Sequence, residues 1–144
     1  MDMKDVILSL LMESSTITEK FIELTLSRLK SLTYTVKNDD AFALSFLLQK
    51  VENTIRNSCN TTSIPDGLIF IAVDMVCGEF LMNLKQTNSL GDSFNAEMAI
   101  KQVKLGDADV SFDDENENKK LDELFSYMMN HGKGEFICYR KIRW

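Results

Sequence analysis

The strongest hydrophobic pattern in the chain lies between residues 40 and 58. The apolar positions follow the i, i+3, i+4, i+7 and i+11 spacing of one helical face, at Leu44, Leu47, Leu48, Val51 and Ile55. Asp39 or Asp40 stands where an N-cap side chain can accept a hydrogen bond from the free backbone amides of a first helical turn. The pattern predicts an amphipathic helix over this range.

Four other segments also show helical patterns. A first helix capped by Asp2 and a second helix opened by a capping box at residues 16–19 are predicted near the start of the chain. Residues 68–84 are apolar nearly all round, which is typical of the most buried helix of a domain. A final amphipathic helix is indicated by the apolar stripe Leu121, Leu124, Phe125, Met128 and Met129.

Alternation of apolar and polar residues, which is typical of strands, occurs in two places. The residues Leu32, Tyr34 and Val36 alternate with polar ones, which fits either a short strand or an extended link. A second alternation follows the turn Gly106-Asp107 and predicts a short strand with one apolar and one acidic face. A helix is indicated just before this turn, around residues 96–103, and the arm as a whole is placed at about residues 97–113.

The last nine residues, 136–144, form an apolar and basic strip with the sequence Phe-Ile-Cys-Tyr-Arg-Lys-Ile-Arg-Trp. This composition favours an extended strand, and an unpaired edge strand promotes aggregation, so the strip is expected to be paired or covered. Either the domain itself or another chain can take it in, and the Trp, Tyr and Arg content favours another chain. Gly132 and Gly134 separate it from the preceding helical pattern.

These patterns together predict a mainly α fold, with a helical bundle core, a short β-arm or hairpin and an extended C-terminal strand. The chain of 144 residues is expected to form a single helical domain over residues 1–134, followed by a docking tail over residues 135–144. A domain of this size can bury about 68–70% of its unfolded surface and needs no disulfide.

The negative charge of the chain is concentrated in one segment. Residues 107–123 contain eight acidic side chains and two lysines, a local charge of −6 that equals the net charge of the whole chain. Binding to a phosphate backbone requires clustered Lys and Arg, which the body of this chain lacks. Ordinary DNA binding is therefore not expected.

The residues that usually carry chemistry are sparse. Cys59, Cys77 and Cys138 are far apart and the single histidine is His131, so neither a metal site nor a disulfide framework is predicted. No nucleophile motif accompanies His131, so we expect no enzyme activity and no cofactor. The longest apolar stretch is interrupted by polar residues, and no secretory leader is recognised, so a soluble protein without a membrane partner is expected.

Several segments taken together resemble the head-to-tail connector proteins of tailed bacteriophages, which join the portal to the tail. The resemblance covers roughly residues 40–144. The segments that carry it are Asn57-Ser58-Cys59-Asn60, the helix start at residues 64–68, residues 72–81, the turn Gly106-Asp107 before Val110-Ser111-Phe112, and the closing Tyr139-Arg140-Lys141-Ile142-Arg143-Trp144. Residues 1–38 lie outside it, and their role is not indicated.

The resemblance implies a structural virion protein in the neck between head and tail, assembled in the cytoplasm of the bacterial host. It implies a closed ring, expected to be a dodecamer, that contacts the portal and a tail-proximal neck or stopper protein. It also implies that DNA passes through the lumen during packaging and ejection without specific binding. An acidic body suits such a passage, because it repels phosphates.

Three roles are expected on this basis. Helices within residues 40–84 form the core and the contact between ring subunits. The arm reaches the adjacent subunit or the lumen through Gly106, Asp107, Asp109, Val110, Phe112 and Asp113. The tail docks on a neighbouring neck protein, above all the portal, through Phe136, Ile137, Tyr139, Arg140, Ile142, Arg143 and Trp144.

The alternative interpretation is an acidic helical regulatory or inhibitor module. In that case residues 107–123 would mimic nucleic acid and occupy the basic site of a partner. Neutralising these acids would abolish partner binding in the inhibitor and leave ring assembly largely intact in the connector.

Overall fold

The computed structural model describes residues 2–104 and 117–140, and these ranges contain six α-helices and no β-strand. In chain order the helices are α1 (Met3–Leu10), α2 (Glu19–Ser31), α3 (Ala41–Cys59), α4 (Ile69–Gln86), α5 (Ala96–Lys104) and α6 (Glu117–Asn130). Short 3-10 helices form at Asn38–Asp40, Asp66–Leu68 and Lys133–Tyr139. The prediction of a mainly helical fold is confirmed.

The central helix of the fold is α4, which packs against α2, α3 and α6. Its apolar side chains point in several directions, and those that are buried are Ala72, Val73, Met75, Val76, Cys77, Phe80 and Leu81. Removal of this much apolar surface from water is the dominant favourable term in folding. The prediction of a buried helix over residues 68–84 is confirmed.

The stretch Asp66–Gln86 is long and apolar enough to cross a membrane by length and composition, and it is the one such helix in the described residues. Its most apolar 18-residue window has a mean hydropathy of 1.7 despite the charged residues Asp74 and Glu79. Half of its apolar window is buried inside the protein, as expected for a core helix.

Together α3 and α4 form an antiparallel hairpin. The first of these helices ends at Cys59, and Asn60 adopts the left-handed conformation that terminates many helices, with φ of 56° and ψ of 46°. The chain then reaches α4 through Pro65 and the 3-10 helix Asp66–Leu68. Because the helices are antiparallel, the first turns of α3 lie beside the last turns of α4.

The loop between α1 and α2 is fixed to α3 by the buried carboxylate of Glu52. This carboxylate accepts hydrogen bonds from Ser15 Oγ at 3.0 Å and from both the amide and the hydroxyl of Thr16 at 2.6 Å. Thr18, and not Thr16, caps α2 by accepting a hydrogen bond from the Phe21 amide. The predicted capping box is therefore wrong, because Thr16 is used to satisfy Glu52.

The link between α2 and α3 is not a strand. Thr33 has a positive φ of 68°, which interrupts the extended backbone that the alternation of residues 32–36 suggested. Tyr34 turns inward, packs edge-on against Phe80 with 5.5 Å between ring centroids, and donates a hydrogen bond from its hydroxyl to Asp40 Oδ2 at 2.6 Å. The buried tyrosine thus fixes the start of α3 against α4.

The helical pattern around residues 96–103 is confirmed, and no β-structure is present in the described part of the predicted arm. Its first part, residues 97–104, belongs to α5, whose Ala96 and Ala99 are buried. Small side chains at this spacing allow α5 to pack closely against α6. The strand predicted after the Gly106-Asp107 turn lies outside the described residues.

The predicted C-terminal strand is also wrong in its described part. Residues 133–139 form a 3-10 helix. The amide of Glu135 donates to the carbonyl of Gly132 at 3.0 Å, so local hydrogen bonds replace the strand pairing that the composition suggested. Burial of Phe136 in the core draws this turn onto the domain. Residues 141–144 lie outside the described part of the chain.

Candidate functional site

An exposed aromatic surface, here called the α3 patch, lies at the start of α3 and consists of Phe42 and Phe46. The two side chains are 69% and 57% exposed, and their ring centroids are 6.4 Å apart. They border a groove of about 420 Å³, whose other wall includes Phe80, Leu84 and Thr87 of the α4 end of the hairpin. Aromatic side chains grouped in this way mark protein contact sites more often than isolated exposed residues do.

The α3 patch results from the helical register of α3. Leu44, Leu47 and Leu48 face the core, while Phe42 and Phe46, which are four residues apart, share the outer face. Nothing in the core requires an aromatic residue at either exposed position. Both rings are therefore free for contact with another molecule.

A second exposed aromatic site lies at the opposite end of the hairpin. Phe70, in the first turn of α4, is 73% exposed, and Ile137 in the C-terminal 3-10 helix is 72% exposed. This 3-10 helix lies against the end of α3, where the Cys59 thiol donates to the carbonyl of Phe136 at 3.5 Å. The rise of 1.5 Å per residue along α3 places the two ends about 25 Å apart.

The C-terminal segment, here defined as residues 131–140, starts at a close polar contact with α4. Asp74 accepts a hydrogen bond from Arg28 Nε at 3.0 Å, and its other oxygen lies 3.1 Å from His131 Nε2. The His131 ring stacks on Tyr127 with 4.6 Å between centroids. One carboxylate thus ties α2 and the end of α6 to the central helix.

Two glycines allow close contacts between the C-terminal segment and the start of α4. A Cβ at Gly132 would overlap the side chain of Ile71, and a Cβ at Gly67 would overlap the hydroxyl of Tyr139. By contrast, Gly134 has open space around it. The segment is therefore held against the domain at both of its ends.

The thiols of the described residues differ in exposure. Burial raises the pKa of the Cys59 thiol, and the nearby Arg140 guanidinium lowers it by a smaller amount. Burial, together with the charge of Asp74, raises the pKa of the Cys77 thiol. A higher pKa means less thiolate, so these two residues are poor nucleophiles. Cys138 is exposed.

The residues predicted to dock on a partner fall into three groups. Phe136 is buried in the domain, while Ile137, Tyr139 and Arg140 are exposed on the same segment. Ile142, Arg143 and Trp144 lie outside the described residues, as do all of the predicted arm residues from Gly106 to Asp113. The structure thus brings together the first half of the predicted docking site and places one of its members in the core.

The acidic segment proposed as a nucleic-acid mimic is described only from residue 117 onward. In that part, the Asp122 carboxylate lies 2.8 Å from Lys85 Nζ at the end of α4. One of the acids assigned to an acidic face is therefore paired with a lysine of the same chain. The acids from Asp107 to Glu115 lie outside the described part.

The α3 patch and Phe70 were missed by the sequence patterns, although one signal for the patch was present. Phe42 and Phe46 do not belong to the stripe of Leu44, Leu47, Leu48, Val51 and Ile55 that predicted α3. Large aromatic residues off the apolar stripe of a well-defined amphipathic helix indicate an outward-facing contact surface.

Among residues 2–104 and 117–140, no group of three or more His, Cys, Asp or Glu side chains is arranged to hold a metal ion. The geometry therefore offers contact surfaces in this part of the chain, with no assembled metal-ligand cluster. In comparisons with known proteins, no family model, no curated protein and no solved structure matches this chain.

Proposed function

We propose that this protein is a head-to-tail connector of a tailed-bacteriophage virion, which forms a ring between portal and tail. The observation that carries the proposal is the presence of two exposed aromatic sites at opposite ends of the α3–α4 hairpin, the α3 patch and Phe70. A subunit in a closed ring contacts one neighbour with one surface and the other neighbour with a different surface. Two separate apolar sites on one domain meet this requirement.

The shapes of the two sites support a contact that repeats from subunit to subunit. The α3 patch borders a concave groove, and Phe70 projects from the opposite end of the hairpin. Insertion of the Phe70 ring of one subunit into the groove of the next would bury apolar surface on both. This contact is heterologous, because it joins two different surfaces. Such contacts produce a closed ring when the rotation between neighbouring subunits returns to the starting subunit, and the resemblance implies twelve subunits.

The C-terminal end supports contact with a second kind of partner. Ile137, Tyr139 and Arg140 are exposed on one short segment, so an apolar, an aromatic and a cationic group are presented together. Tyr and Arg are the residue types that dominate protein interfaces, and Arg pairs with carboxylates in two-point geometry. We assign this segment and the residues that follow it to the portal, and the opposite side of the ring to a tail-proximal neck protein.

The net charge of −6 supports a passive passage for DNA through such a ring. A lumen that bound phosphates through clustered Lys and Arg would slow the moving duplex, because each contact releases condensed counterions and adds affinity. An acidic subunit avoids this retention. Specific recognition of the DNA sequence is not part of the proposed function.

Substitution of both α3-patch aromatics tests the ring contact. The double variant Phe42→Ser, Phe46→Ser is expected to lose ring formation on portal particles, since the repeated apolar contact is removed. Rings are counted by electron microscopy and by native mass spectrometry of the released assemblies. The double variant Asn53→Ala, Asn57→Ala changes exposed polar residues of the same helix and is the matched control. Closed rings formed by the Phe variant would refute the proposed subunit contact.

A further inference from the structure

The C-terminal segment, residues 131–140, is held on its own domain by side chains that the docking function also requires. Phe136 is buried beside Cys59, and the Tyr139 hydroxyl lies against the backbone of Gly67. Phe136, which the sequence assigns to docking, cannot occupy this core position and a portal surface at the same time. The contact with the domain and the contact with the portal therefore exclude each other.

The segment has the properties of a region that opens locally. Phe136 is its one buried large apolar side chain, while Lys133, Glu135, Ile137, Cys138 and Arg140 are exposed. Regions with few buried apolar contacts open with a smaller free energy than the core of the same protein. The remaining attachments are the polar contact of His131 with Asp74 and the close approach of Gly132 to Ile71.

We propose that the C-terminal segment is an autoinhibitory latch, which the free subunit keeps closed on its domain and which opens when the portal takes the tail. This inference rests on the proposed function, because the partner that competes for the segment is the portal. The closed latch lowers the fraction of subunits that can dock, so the apparent affinity for the portal falls by the same fraction. The closed latch thereby restrains association of free subunits through their C-terminal segments.

A substitution on the domain side tests the latch without altering the tail. Gly67→Ala adds a Cβ that overlaps the Tyr139 hydroxyl, and Gly67 has no left-handed backbone that would make alanine strained. The variant is expected to shift the latch toward the open form by about tenfold, a change that corresponds to the ordinary cost of overpacking. Gly134→Ala is the matched control, because a Cβ there meets nothing within 4 Å.

The cysteines report the opening of the latch in the absence of any portal. Cys59 is covered by the segment, Cys77 is buried in the core, and Cys138 is exposed. Labelling with a small thiol reagent, followed by mass spectrometry, should show Cys59 reacting about tenfold faster in Gly67→Ala than in the wild type, in line with overpacking of the closed form. Labelling of Cys77 should stay unchanged, which separates opening of the latch from global unfolding.

Capture by portal particles then tests the competition. Gly67→Ala is expected to bind portals about tenfold more tightly than the wild type, in proportion to the open fraction, and Gly134→Ala is expected to match the wild type. Faster labelling of Cys59 with unchanged capture would overturn the latch and leave the connector function standing. Failure of the wild type and all variants to bind portals would overturn both.

If labelling of Cys77 shows that Gly67→Ala is unfolded, a second variant replaces it. His131→Ala removes the contact with Asp74 and the stacking on Tyr127, and it lies outside the predicted docking residues. It should also accelerate labelling of Cys59 and strengthen capture. Slow labelling of Cys59 in this folded variant would refute the latch.

Discussion

At the scale of single residues, buried polar side chains determine how the outer helices attach to the core. Glu52 is 1% exposed, and its carboxylate accepts three hydrogen bonds from Ser15 and Thr16. A buried carboxylate is costly unless such donors surround it. This residue sits in the middle of α3, where sequence reasoning gives no reason to place a buried charge, so the attachment of α1 and α2 was not predictable from the pattern.

Removal of the Glu52 carboxylate should destabilise the protein through the donors that it leaves behind. Glu52→Ala is expected to lower the free energy of unfolding by about 1–3 kcal/mol, because the amide and hydroxyl of Thr16 lose a charged acceptor. Denaturant titration followed by circular dichroism measures the change. The neighbouring exposed residue gives the control Asn53→Ala, for which a change within about 0.5 kcal/mol is expected. Equal stabilities of the two variants would contradict this role of Glu52.

Tyr34 provides a prediction about alkaline pH. Burial, followed by the hydrogen bond to Asp40 and the charge of that carboxylate, raises the pKa of the Tyr34 hydroxyl above its usual value. The folded state therefore retains this proton at a pH where the unfolded chain has begun to lose it. The contribution of Tyr34 to stability is complete below about pH 10, the pKa of an unperturbed tyrosine, and is lost as the pH rises toward the folded-state pKa.

Tyr34→Phe should reduce this loss of stability at alkaline pH. At neutral pH the variant is expected to be about 1–2 kcal/mol less stable than the wild type, because the hydroxyl that donates to Asp40 is missing. Above about pH 10 the difference between the two proteins should shrink, since the variant has no hydroxyl to ionise. Urea titrations at neutral and alkaline pH measure both differences. A constant difference across the pH range would show that the hydroxyl is not protected by folding.

At the scale of helices, the approach of α6 to α4 is controlled by Gly78. In the sequence this glycine interrupts an apolar stretch, and its effect appears only when the second helix is present. A Cβ at this position would lie 2.8 Å from Met128 Cβ and 2.9 Å from the Phe125 carbonyl oxygen. Such distances are shorter than van der Waals contact, so the absence of a side chain sets the spacing between the two helices.

Gly78→Ala is therefore expected to destabilise the protein although alanine favours helix formation by about 1 kcal/mol over glycine. Overpacking should outweigh this gain and leave a net loss of about 1–2 kcal/mol. Thermal unfolding followed by circular dichroism gives the measurement. Gly134→Ala, which adds a Cβ in open space, should leave the unfolding temperature nearly unchanged. Stabilisation by Gly78→Ala would mean that α6 can move away at little cost.

At the scale of the whole molecule, the elements with local signals were predicted and those that depend on distant contacts were not. The apolar stripe of α3 and the all-round apolar character of α4 predicted both helices from neighbouring residues. The C-terminal segment has strand-forming composition, yet Phe136 contacts Cys59, which precedes it by 77 residues. Burial gained through such a contact overrides local propensity, and a single sequence does not reveal it.

The candidate site shows the same division. Ile137, Tyr139 and Arg140 were predicted as docking residues from composition alone, and their exposure agrees with that prediction without testing it. The α3 patch required the register of α3 to be known, since Phe42 and Phe46 become outward-facing only after the leucine stripe has been assigned to the core. The predicted role of the arm residues Gly106 to Asp113 stays a prediction.

The position of α4 has a mechanical consequence. The helix has 18 residues and a length of about 27 Å, and it begins next to the Gly67 contact with Tyr139 and ends at the groove beside Phe80 and Leu84. Force applied at the closed C-terminal segment would be carried along α4 from its first turn to its last turn. If subunits form a ring, each α4 would transmit force from the contact at the C-terminal segment to the groove that contacts the next subunit. Force applied to one subunit would then also act on its neighbours.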